Sequence, residues 1–107
     1  MLQRYIDQAG DYEGLGGAYS CQGQYKEAFK NFRRALAIAD QIGDCYRQAG
    51  IYHSLGRAYH LSDRYEEAIP HFQKSIKLYS DLQKKTAKKT VNGKFPSLRI
   101  HTNPTAA

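Results

Sequence analysis

The sequence predicts an all-α fold, a short α-solenoid of two antiparallel helix pairs followed by a disordered basic C-terminal tail. Three observations lead to this prediction. One pattern of residues occurs twice at a spacing of 40 residues, the apolar residues of each copy recur at helical intervals, and the excess of basic residues gathers after residue 82. A chain of 107 residues with 41% hydrophobic residues can form one small domain with a core.

The repeat is visible when residues 49–83 are aligned with residues 9–43 without a gap. Eleven of the 35 aligned positions are identical, whereas ordinary residue usage would give roughly two. The identical pairs are Ala9/Ala49, Gly10/Gly50, Tyr12/Tyr52, Leu15/Leu55, Gly16/Gly56, Ala18/Ala58, Tyr19/Tyr59, Tyr25/Tyr65, Glu27/Glu67, Ala28/Ala68 and Phe32/Phe72. Residues 1–83 are therefore expected to hold two copies of one structural unit, at about 9–48 and 49–83, before a tail over 84–107.

Within each repeat the apolar residues are spaced by three and four positions, which is typical of amphipathic helices. The clearest series is Tyr25, Ala28, Phe29, Phe32, Ala35, Leu36 and Ala39. Its counterpart in the second repeat is Tyr65, Ala68, Ile69, Phe72, Ser75, Ile76 and Tyr79. Four helices are predicted, at about residues 3–21, 24–42, 45–61 and 64–83, and Gly16 and Gly56 are expected at close crossings within each pair.

The residues between these segments predict where helices end and begin. Gly43 can end a helix in the left-handed conformation, and the carboxylate of Asp44 can cap the next helix. Asp63 is predicted to cap the last helix, with Glu66 completing a capping box. Pro70 lies inside that helix, where the loss of one backbone hydrogen bond predicts a mild kink or an open turn.

The net charge of +6 is unevenly distributed along the chain. Residues 1–82 hold ten Lys and Arg against ten Asp and Glu, whereas residues 83–107 hold six basic residues and no acidic one. Too few apolar residues recur in this tail to predict a fold. Three interpretations of the tail stay open: a solvated extension, a nuclear-import or acidic-surface contact through Lys84–Lys89, and nucleic-acid binding. Nucleic-acid binding is the least supported, because Phe95 is the only aromatic residue there that could stack on a base.

Several classes of protein are disfavoured by the sequence. It has neither the apolar run of a membrane span nor that of a signal peptide, so we expect a cytoplasmic protein. Cys21 and Cys45 lack the spacing of a disulfide framework or a zinc site and are expected to be reduced. His53 and His60 are two helical turns apart, too far to share a metal without other ligands. No catalytic or phosphate-binding motif is present, so neither an enzyme nor a cofactor is predicted.

The series Tyr12-x2-Leu15-Gly16-x2-Tyr19, followed by Tyr25, Ala28, Phe32 and Ala35, resembles the consensus of the tetratricopeptide repeat family. The second copy has Tyr52, Leu55, Gly56, Tyr59, Tyr65, Ala68 and Phe72 at the same offsets, with Ser75 at the position of the last small apolar residue. The 40-residue period and the Gly43-Asp44 pair resemble the longer repeats of the G-protein-signalling-modulator group. That group usually carries Asn where this chain has Gly17 and Arg57.

The resemblance implies an interaction module, an adaptor or scaffold, whose concave groove is lined by the first helix of each pair and binds a peptide of another protein. The positions that it transfers to the groove are Glu13, Gly17, Ser20, His53, Arg57 and His60. The last three residues share one helix face, and their donors suit a carboxylate or a phosphate, so an acidic peptide is the expected ligand. The alternative is a solvated polar face, which every amphipathic helix has.

Two other functions stay open at this stage. The chain is a structural piece of a longer repeat array, or it is an accessory factor that its tail targets to the nucleus or to polyanions. The first alternative rests on Ile69, Ile76 and Tyr79, which we expect to be exposed on the last helix because repeat arrays bury their core by stacking. Such a face predicts self-association or contact with further repeats.

Overall fold

The computed structural model describes residues 2–93, which form four α-helices and no strand. They are α1 (Leu2–Cys21), α2 (Tyr25–Ile42), α3 (Cys45–Leu61) and α4 (Tyr65–Gly93). Helix α1 packs along α2, α3 packs along α4, α2 joins the two pairs by packing on α3, and α1 reaches α3 at a few positions. The predicted short α-solenoid is confirmed, and the first three helices begin and end within one residue of their predicted bounds.

Helix α4 is longer than predicted, because it ends at Gly93 and not at residue 83. Residues 84–93 are therefore helical, although they belong to the predicted disordered tail. No glycine or proline interrupts the segment before Gly93, and a helix that is already nucleated continues through lysine and alanine without needing an apolar stripe. Residues 94–107 of the predicted tail lie outside the described residues.

The turn between the repeats has the predicted geometry. Gly43 ends α2 with φ of 69°, and its N–H donates to the carbonyls of Ala39 and Asp40. The carboxylate of Asp44 then accepts a hydrogen bond of 3.0 Å from the backbone N–H of Arg47. The left-handed glycine and the capping aspartate together turn the chain from one helix pair into the next.

The prediction that Asp63 caps α4 is wrong. Asp63 adopts φ of 65° in the turn before α4 and does not form a capping box with Glu66. Its carboxylate instead accepts a hydrogen bond of 2.9 Å from the Tyr65 hydroxyl, and this bond raises the pKa of Tyr65. The position forty residues earlier is Gly23, with φ of 78°. Both turns within a repeat therefore require a left-handed residue, and aspartate tolerates this conformation better than most residues.

The two glycines at the helix crossings occupy the same environment in both repeats. A Cβ atom built on Gly16 would lie 2.6 Å from Cδ1 of Phe32, and one built on Gly56 would lie 2.7 Å from Cδ1 of Phe72. The phenylalanine rings thus lie where a side chain would otherwise be. This confirms the predicted close crossing in each pair and explains why both positions are glycine.

The repeats meet through a buried seam between α2 and α3. The rings of Phe29 and Tyr59 stack with centroids 4.3 Å apart, and Ile51 and Leu55 are almost completely buried. At the other end of the seam, Gln48 donates a hydrogen bond of 2.9 Å to Asp40. The seam makes one core of the two helix pairs.

Helix α4 continues through Pro70. Proline lacks the N–H that would bond the carbonyl four residues earlier. One residue later, His71 Nδ1 lies 2.8 Å from the carbonyl oxygen of Glu67 and donates to it. Farther along, the buried hydroxyl of Ser75 donates a hydrogen bond of 2.8 Å to the carbonyl of Ala49, so this polar residue is satisfied inside the core.

We predict that Gly16→Ala and Gly56→Ala each lower the free energy of unfolding by about 1–3 kcal/mol, because the new methyl group overpacks against a buried phenylalanine. Gly14→Ala is the matched control on α1, since a Cβ atom there meets nothing within 4 Å. It should raise stability by about 0.5–1 kcal/mol through helix propensity alone. Chemical denaturation followed by circular dichroism measures all three, and equal effects at Gly14 and Gly56 would refute the packing argument.

Candidate functional site

The six predicted contact residues lie on α1 and α3 in three equivalent pairs. They are Glu13/His53, Gly17/Arg57 and Ser20/His60. We call this set the α1–α3 surface. The three residues on α1 are partly buried, whereas the three on α3 are exposed.

The exposed part of this surface is the polar stripe on α3. The His53 ring meets the edge of the Phe72 ring, with centroids 5.6 Å apart, and the His60 ring meets Tyr65 at 5.1 Å. Arg57 lies between the two histidines along the helix and, among the residues with described side chains, forms no ion pair. The polar stripe on α3 thus consists of two imidazole rings, each in contact with an aromatic ring, and the exposed guanidinium of Arg57 between them.

On α1 the central position of the α1–α3 surface, Gly17, has no side chain. A Cβ atom built there would meet nothing within 4 Å. Forty residues later the same position carries the long side chain of Arg57. The glycine therefore leaves open space on the first repeat where the second repeat has its cation.

Glu13 is held by a partner that the sequence did not suggest. Its carboxylate accepts a hydrogen bond of 2.7 Å from Arg47 Nη1, and both side chains are 27% exposed. Arg47 also approaches the carboxylate of Asp44 at 3.7 Å. The ion pair joins α1 to α3, and Gly10 and Gly50 lie beside it, with only ordinary contact distances to a built Cβ atom. Glu13 is thus an internal link between the repeats as well as a surface position.

A second polar surface, which the sequence analysis missed, lies between α2 and the turn before α4. This basic cleft has a volume of about 420 Å³ and is lined by Tyr25, Lys26, Phe29, Arg33, Ser62 and Arg64. The Arg64 guanidinium stacks over the Tyr59 ring at 4.9 Å and pairs with Glu67, a hydrogen bond that raises the pKa of Arg64. Arg33 donates to the Tyr59 hydroxyl at 3.4 Å. Three cations meet here because α2 packs beside the turn, and no spacing in the sequence shows that contact.

Other features of the described chain bear on its class. Cys21 and Cys45 are both free thiols. None of the described helices combines the length and the apolar content that a membrane crossing requires.

Comparison with known proteins identifies the family. The family model described as tetratricopeptide repeat matches residues 9–81. No significant match was found among curated proteins or among solved structures. The finer resemblance to the G-protein-signalling-modulator type is not addressed by this match and stays a prediction.

The matched segment covers both repeats and the seam between them, which is most of the described chain. Tetratricopeptide repeats are generally non-catalytic modules of protein–protein interaction. The packing of the two helix pairs is consistent with this assignment. The chain belongs to the tetratricopeptide repeat family.

Proposed function

We propose that this chain is an adaptor, not an enzyme, and that it binds an acidic peptide segment of another protein on the α1–α3 surface. The observation that supports the proposal is the exposed series of His53, Arg57 and His60 along one face of α3. A peptide with carboxylates spaced along its length can meet these donors one after another. The guanidinium of Arg57 can bind a carboxylate through two parallel hydrogen bonds.

The pairing of Glu13 with Arg47 favours an acidic ligand as well. An unpaired carboxylate on α1 would repel an incoming acidic side chain. In this chain the carboxylate of Glu13 is 2.7 Å from the Arg47 guanidinium, so the field of the two charges largely cancels at a distance. The open space above Gly17 leaves room for peptide backbone beside the α3 stripe.

The basic cleft is the competing location for the same ligand class. Its Arg64 is already paired with Glu67, and one face of the guanidinium stacks on the Tyr59 ring. Its remaining cations, Lys26 and Arg33, lie on α2, which does not line the predicted groove, although Arg33 contacts Tyr59 on the inner side of α3. The cleft therefore provides the matched control for the location of binding.

We predict that Arg57→Glu weakens binding of an acidic peptide by about 2 kcal/mol, because it replaces the attraction at the centre of the α3 stripe with repulsion. The probe is a peptide selected on the wild-type chain from a displayed random library, and we expect selection of sequences rich in Asp and Glu. Isothermal titration calorimetry measures its affinity for each variant. The exposed position of Arg57 predicts an unchanged helical circular dichroism spectrum.

Arg33→Glu is the control for this experiment, since it reverses a charge in the basic cleft by the same amount. It should leave the affinity within about threefold of the wild-type value, as expected for a surface charge outside the interface. A large loss with Arg33→Glu and none with Arg57→Glu would move the site to the cleft and refute the proposal for the α1–α3 surface.

We predict that Glu13→Gln acts on stability and not on binding. The substitution removes the charged partner of Arg47 in a partly buried ion pair, which should cost about 1 kcal/mol of unfolding free energy. A double-mutant cycle with Arg47→Met, measured by chemical denaturation, isolates the pair. Loss of peptide affinity with unchanged stability would show instead that Glu13 contacts the ligand directly.

A further inference from the structure

The outward face of α4 repeats the pattern by which α2 contacts α3, but no described helix covers it. Phe29 on α2 is 6% exposed beneath α3, whereas its equivalent on α4, Ile69, is 55% exposed. Leu36 packs against the core, whereas its equivalent, Ile76, is 67% exposed. The second repeat thus retains apolar residues at the positions that the first repeat buries in the seam.

The opposite end of the molecule has the complementary half of the seam. Leu55 on α3 is 2% exposed beneath α2, whereas its equivalent on α1, Leu15, is 47% exposed. Ala58 is fully buried, and its equivalent, Ala18, is exposed. Both faces of the α2–α3 interface therefore recur in one chain, on α4 and on α1, where no other described helix covers them.

From this duplication we infer that the chain assembles head to tail, with α1 of a second copy docking on α4 of the first in the manner of the α2–α3 seam. The inference concerns a surface other than the α1–α3 surface and does not depend on the proposed peptide binding. The occupant of the α4 face is a second copy of this chain, because the chain itself presents the matching helix face.

The seam also specifies the register of the docked helices. Tyr59 stacks on Phe29, and Gln48 donates a hydrogen bond to Asp40. The two contacts are eleven residues apart on each helix but in opposite chain directions, so α2 and α3 are antiparallel with a one-to-one register. Translation of this antiparallel register by one repeat places Tyr19 of the second copy over Ile69 and Leu15 between Ile69 and Ile76.

An interface between two different faces of the same chain leaves one free face at each end of the assembly. Growth therefore continues unless the rotation between copies closes a ring. The average molecular mass of the assembly is therefore expected to rise with protein concentration beyond the mass of a dimer.

The test uses two blocking variants, Leu15→Glu on α1 and Ile76→Glu on α4, with Gln41→Glu on α2 as a control of equal charge. Analytical ultracentrifugation should show concentration-dependent growth of the wild type and the control, and a monomer for each blocking variant. An equimolar mixture of the two blocking variants should form a 1:1 dimer that does not grow, because one intact interface remains between them.

Three results would overturn the inference. They are a monomeric wild type throughout the micromolar range, a Leu15→Glu variant that associates like the wild type, and a mixture of the two variants that stays monomeric. Circular dichroism verifies that the variants are folded. If a glutamate variant is not folded, Leu15→Gln or Ile76→Gln takes its place, and the expected outcomes are the same.

Discussion

The contact on which the rest of the structure depends is the crossing of a glycine by a phenylalanine ring, Gly16 by Phe32 and Gly56 by Phe72. Because a Cβ atom at either glycine would lie within 3 Å of the ring, the distance between the helices of a pair is determined there. That distance sets how α2 meets α3, and hence where the α3 stripe and the ends of the array lie. The repetition of one local geometry explains why the two repeats can be compared position by position.

The sequence is enough to predict the structural features that depend on local periodicity. The spacing of the apolar residues is enough to locate the first three helices, and Gly43 with Asp44 is enough to locate the turn between repeats. Two errors arose where local rules compete. Asp63 has the residue type of a helix cap but occupies a turn position that needs positive φ, as its equivalent Gly23 shows. Helix α4 continues past residue 83 because continuation depends on the absence of helix breakers, whereas the prediction relied on the absence of apolar residues.

The candidate site is predicted only in part, for a physical reason. Helical periodicity alone places His53, Arg57 and His60 on one face. The partner of Glu13 could not be predicted in this way, since Arg47 is 34 residues away along the chain and approaches it only through packing of α3 on α1. The basic cleft was missed for the same reason, because Arg33 and Arg64 become neighbours through tertiary contact.

The extension of α4 also has an electrostatic consequence. Gly56 packs against Phe72, so the α3 stripe lies at the level of that residue on α4. Lys84 is twelve residues farther along the helix, which at the rise of an α-helix is about 18 Å. This is about twice the Debye length of about 8 Å at physiological ionic strength. The positive potential of Lys84 and Lys85 is therefore largely screened at Arg57, and an anion bound by these two lysines would scarcely affect the binding of a ligand on the α3 stripe.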